Sequence, residues 1–166
     1  MNSQQAEHAW ETDLAGLLAD LTQVQDELLD VLCRKRECMA TGNQQRMAEL
    51  QPVEEQLCQR LQSCHDRRSL LLHKARNQGL PSGSLGGLAS VLGPGKKEEM
   101  RKKASDASAR MGLLQHNCLA NWVLAQKALL HASQMLEIIA SGGRLEPTYG
   151  NRADPAAGGT LVDQEA

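Results

Sequence analysis

Phenylalanine is absent from this chain of 166 residues, and Trp10, Trp122 and Tyr149 are its only aromatic residues, 2% of the total. Compact mixed cores normally take their bulk from aromatic rings, so sandwiches and barrels give way to helices packed through Leu, Ala and Met. No stretch sustains a period-two alternation of Val, Ile, Thr or aromatic residues, which removes the usual strand signal. An excess of one charge is missing too: 18 basic residues face 20 acidic ones, for a formal charge of −2. That balance gives no global attraction to nucleic acid or to an anionic membrane, so any electrostatic role must be local. No apolar run is long enough to cross a membrane. The opening "MNSQQAEHAWETD" has neither the basic nor the apolar region of an export signal, and the expectation is a cytoplasmic protein without membrane insertion.

Five cysteines, Cys33, Cys38, Cys58, Cys64 and Cys118, form an odd set without CxxC spacing. They suggest reduced helix residues rather than a disulfide framework or a zinc knuckle. Cys64 and His65 are neighbours, but adjacent helix positions diverge by roughly 100° and do not share a metal easily. No GxSxG, phosphate loop, HExxH or convergent carboxylate pair appears, so no enzyme, metal or cofactor is expected. The run "KKEEMRKK" interleaves Glu98 and Glu99 with its bases and has no stacking aromatics nearby, which argues against nucleic acid.

What is present is helical periodicity. Leu14, Leu17, Leu18, Leu21, Val24, Leu28, Val31 and Leu32, with Met39 beyond them, follow a spacing of three and four, predicting an amphipathic helix over about 12–41. "ATGN" ends it, with Gly42 as the C′ residue and Asn43 capping the second helix, and so short a break favours an antiparallel hairpin. Leu50, Val53, Leu57, Leu61, Cys64, Leu71 and Ala75 continue the pattern. Proline is tolerated at the first helical position and costly inside, so "QPVEE" reads as a helix start and the second helix as 52–77. Residues 79–95, "GLPSGSLGGLASVLGPG", hold six Gly and two Pro in seventeen residues, a connection containing one short helical turn around "LGGLASVL". Its leucines are too apolar for a solvated linker and are expected to fold over the end of the bundle.

A third helix is predicted over 96–140. Its first part, 96–110, has nine charged residues in fifteen; its second, 111–140, has only Lys127 and Glu137 in thirty. On a helical wheel Met111, Leu114, Cys118, Trp122, Ala125, Leu129, Ala132, Leu136 and Ile139 fall in one arc that would supply a bundle seam. Leu119, Val123 and Leu130 lie on one flank, and Leu124, Met135 and Ile138 on the far side. One stripe is all a three-helix bundle needs, so the surplus is covered by the connection, by a homodimer partner, or by the helices of a partner protein.

"LLDVLCRKRECMATGN", the connection "GLPSGSLGGLASVL" and the ending "NWVLAQKALLHASQMLEIIASGGRLEPTYG" together resemble the FlgN-type flagellar export chaperones. Asn121 in the last helix, the Leu-rich region after it, and the triplet Thr148, Tyr149 and Gly150 carry most of the likeness. The resemblance implies an all-α fold, an elongated antiparallel three-helix bundle with a long C-terminal helix. The Pro, Gly and Ala-rich run over 153–166 reads by composition as a disordered tail, and the resemblance makes 1–152 a single helical chaperone domain. It also implies a protein that is not an enzyme. Such chaperones bind hook-filament junction (hook-associated) proteins, prevent their premature assembly and deliver them to the flagellar type III export gate. Carried over by position, Leu119, Trp122, Val123, Leu129, Leu130, Leu136 and Ile139 would hold the client and Tyr149 would touch the gate. The competing expectation is a structural, self-associating coiled-coil protein; the short "ATGN" turn and the lack of unbroken heptads weigh against a long parallel coiled coil.

Overall fold

In a computed structural model, described here over residues 3–140 with side chains from residue 9 onward, the chain is all-α. Its elements are α1 (Ser3–Thr41), α2 (Gln44–Asn77), the single turn α3 (Leu85–Leu88) leading into a 3₁₀ turn (Ala89–Val91), and α4 (Pro94–Ala140). The helix stop expected at 141–143 and the tail at 153–166 lie outside the described residues. Two compact units divide the chain, Met1–Lys127 and Ala128–Ala166.

In the first unit α1 is the central helix. Its eight periodic Leu and Val residues are all buried, together with Trp10 and Gln25, so it has a broad inward face. Its neighbours contribute one narrow row each. On α2 the buried positions include Leu50, Leu57, Cys64 and Leu71; on α4 they are Met100, Ala107, Leu114 and Asn121. Both rows step by seven residues, the spacing that keeps one edge of a slightly underwound helix against a partner.

The α1–α2 hairpin begins with a local stop. Gly42 adopts φ +65°, the left-handed geometry that glycine takes without a Cβ penalty, and the Asn43 N–H then reaches back to the Cys38 carbonyl at 3.0 Å. The Asn43 side chain accepts from the Arg46 N–H at 3.0 Å and caps α2. Charge fixes the pairing sense. Asp13, Asp20 and Glu27, seven apart on α1, meet Lys74, Arg67 and Arg60 descending by seven on α2, and Lys35 meets Glu54 beyond them. A hydrogen bond from the Arg60 guanidinium, with a second from Gln23, holds the Glu27 carboxyl below its ordinary range. Pairs this accessible to water contribute little stability, but all agree on one antiparallel orientation.

α2 starts eight residues earlier than the sequence led us to expect, with Pro52 inside it rather than at its first position. The Asn43 cap and the burial of Leu50 hold the turns before the proline in the helix, and Pro52 lies on the exposed face. The connection folds as anticipated: Leu85, Leu88, Ala89 and Leu92 are buried in the same core as α1. The Ser84 hydroxyl caps α3 by accepting from the Gly87 N–H at 2.9 Å. α4 then runs parallel to α1, with Lys96 paired to Glu11 and Arg110 to Asp26.

Replacing Pro52 with Ala restores a backbone donor that the helix interior lacks. A helix-interior proline costs about 3 kcal/mol, and its stiffening of the unfolded chain returns up to about 1. Pro52→Ala is therefore expected to stabilise the protein by about 2 kcal/mol, read as a higher urea midpoint with an unchanged slope; a lower midpoint would show that the proline suits a bend the fold requires.

Candidate partner-binding surface

Burial along α4 ends at a polar residue. Asn121, only 8% exposed, donates from Nδ2 to the Leu32 carbonyl at 2.8 Å and accepts at Oδ1 from Arg36 Nε at 3.1 Å. Arg36 Nη2 also donates to Asn117 Oδ1 at 2.7 Å. α1 itself ends at Thr41, little more than one turn past Arg36. Past this point α4 has no described residue that is buried.

Apolar composition does not stop there. In the first unit Leu119, Trp122, Val123 and Leu124 are exposed, Trp122 at 60%. In the second unit, among its described residues, Leu129, Leu130, Leu136 and Ile139 are exposed, Ile139 at 71%, and so are Met135 and Ile138. Apolar surface removed from water is worth roughly 25 cal/mol per Å², and a buried aromatic side chain covers about 150–250 Å². Trp122 alone therefore offers several kcal/mol to anything that covers it. Lys127 and Glu137 are the only charges among 111–140, so little desolvation cost opposes such covering.

The seven residues expected from the sequence to bind a client are thus all exposed. Leu124, Met135 and Ile138 share that exposure although they fall on the far side of the wheel, outside the expected set. The expected bundle seam needs correction. Of its nine positions Leu114 is buried and Met111 partly so, while Cys118, Trp122, Ala125, Leu129, Ala132, Leu136 and Ile139 are exposed. The buried row drifts off that arc because it follows a period of seven and ends in Asn121. Tyr149 lies outside the described residues.

Chemistry of other kinds finds little footing. Among the described residues no group of three or more His, Cys, Asp or Glu side chains converges on a metal site. Burial pushes the Cys64 thiol up, with Asp20 adding to the effect. No described helix is long and apolar enough to cross a membrane.

Asn121→Ala deletes two interhelix hydrogen bonds and leaves the Arg36 guanidinium short of a partner. It is expected to cost about 1–3 kcal/mol in urea unfolding, far more than substitution of the exposed Leu130 by Ala, which should stay within about 0.5 kcal/mol. Equal effects would mean that Asn121 does not anchor α4.

Of known proteins, the family model described as FlgN protein matches residues 1–157. No curated protein matches the chain, and no solved structure does.

Proposed function

The chain belongs to the FlgN family, a family of flagellar export chaperones and not of enzymes, and from that membership we propose a cytoplasmic chaperone for hook-associated proteins. The clients are the hook-filament junction subunits, and the reading extends to their delivery to the flagellar type III export gate. One observation supports it above the rest: the large apolar side chains that α4 leaves exposed beyond Asn121. Monomeric soluble proteins rarely leave so many uncovered without a partner to cover them.

The physical mechanism is recognition of a client's amphipathic helices by the exposed apolar side chains of α4. Subunits that pack through amphipathic terminal helices in a finished filament would expose those helices before assembly and aggregate. The apolar side chains of α4 cover them in the meantime. A complex of ordinary size buries about 1,600 Å², and a few large anchors decide its affinity, with Trp122 the foremost here. Leu119 and Val123 in the first unit, and Leu129, Leu130, Leu136 and Ile139 in the second, complete the client set. Release stays feasible because the contact is apolar and adaptable rather than a buried ionic lock. Tyr149 is assigned a separate task, contact with the export gate, as an amphipathic ring suited to a half-wet interface.

Trp122→Ala combined with Leu129→Ala is expected to abolish capture of a hook-associated client in a pull-down, with far-UV circular dichroism and the urea midpoint close to wild type. Loss of folding would instead make these side chains core, and a stable dimer in sedimentation that client does not displace would hand the surface to self-association.

For Tyr149→Ala the expected outcome is client binding within about twofold of wild type and a strong fall in client export from cells. If client affinity drops as far as export does, the tyrosine belongs to the client site and the two-task reading fails.

A further inference from the structure

Away from the exposed apolar residues of α4, the first unit carries a groove of about 830 Å³. α1 supplies its floor through Leu21 and Gln25. One wall is α2, with His65 and Arg68; the other is α4, with Lys97, Arg101 and Met111. The capped turn from Ser84 to Ser90 closes one end.

Eight Lys and Arg residues elsewhere are engaged in ion pairs, from Arg34 and Lys35 on α1 to Arg110 on α4, and five more, Arg36, Arg46, Arg76, Lys102 and Lys127, are spread outside the groove without one. Arg68, Lys97 and Arg101 pair with no described carboxylate, and neither Asp nor Glu lines the groove. A chain of net charge −2 thus gathers three unneutralised cations around one concave surface. A bound anion would find all three cations along one concave surface. The rest of the lining is mixed: Leu85, Ala104 and Met111 supply its apolar part, and Ser84, Ser105 and Ser108 its polar part.

We propose that this groove binds an acidic amphipathic segment of a partner protein. Its carboxylates pair with Arg68, Lys97 and Arg101, and its apolar side chains rest on Leu85 and Met111. Charge complementarity selects the sign of the ligand, and the apolar part of the lining selects a peptide over a simple anion. Nucleic acid is a poorer fit, because no aromatic side chain lines the groove for a base to stack on. The lining ends at Met111, before Leu119 and Trp122, so this site does not rest on the client reading and leaves the client residues of this unit free.

The test is fluorescence anisotropy on the full chain with a labelled synthetic helix of about 18 residues, five turns, bearing Leu on one face and Glu on its flanks, against the same helix with Lys for Glu. The Glu peptide should bind at least about tenfold more tightly than the Lys peptide. Arg68→Glu with Arg101→Glu should weaken it by about tenfold or more, whereas Lys102→Glu with Lys127→Glu, the same charge change outside the groove, should leave it within about twofold. If the Glu double variant fails to fold by circular dichroism, Arg68→Gln with Arg101→Gln takes its place with the same expected direction. Equal affinity for the two peptides, indifference to the groove variants, or displacement of the Glu peptide by single-stranded DNA at the same concentration as by unlabelled peptide would each overturn the proposal.

Discussion

The contact between Asn121 and α1 governs where burial on α4 ends. Apolar rows can slide by a heptad with little penalty, since one leucine replaces another, but a buried amide has donors and acceptors to satisfy and pays for being out of place. Asn121 finds the Leu32 carbonyl and Arg36 in one register only, and Gln25 finds the Ala107 carbonyl in the same one. The small Ala107 side chain lets the amide approach the α4 backbone. Two polar residues in otherwise apolar rows thus specify how α4 lies on α1, and through that specify which α4 residues are left without an opposing helix. Trp122 is exposed because its neighbour has already closed the row.

The helical class, the hairpin and its Gly42–Asn43 turn were legible in the sequence because each has a local cause: periodicity of Leu and Val, a left-handed residue, a capping amide. Burial of the connection was legible as well, since Leu85, Leu88 and Leu92 are too apolar to remain solvated. The start of α2 was not. Proline signals its cost at a position, not whether a cap upstream and a buried Leu50 outweigh that cost. The seam of α4 was misjudged for a related reason. Met100, Ala107, Leu114 and Asn121 contain one small and one polar residue, so the true seven-residue row is fainter in composition than the greasier arc through Trp122 and Leu129. Hydrophobicity marks what water disfavours, and on this helix much of it is left exposed by the described residues.

The unneutralised groove was invisible at sequence level because its cations come from two helices thirty residues apart, one from α2 and two from α4. The run "KKEEMRKK" read as a mixed, self-compensating cluster. In three dimensions Lys96 and Lys103 are taken by Glu11 and Glu99, and Lys97 and Arg101 are left on the other side. Charge balance along a chain says nothing about charge balance around a helix.

The ion-pair ladder of the hairpin has a property that the polar contacts of α4 lack. Three of its four rungs repeat every seven residues, so those three map onto one another under a shift of one heptad and do not by themselves choose a length. The Gly42 turn makes that choice. Seven residues inserted into α1 and seven into α2 at matched levels would lengthen the hairpin, preserve the pairing and keep both helices in phase. The third helix permits no such change alone, because its amide must still meet Leu32. The pairing thus tolerates a change of hairpin length, while the point at which burial on α4 ends is held to a single residue.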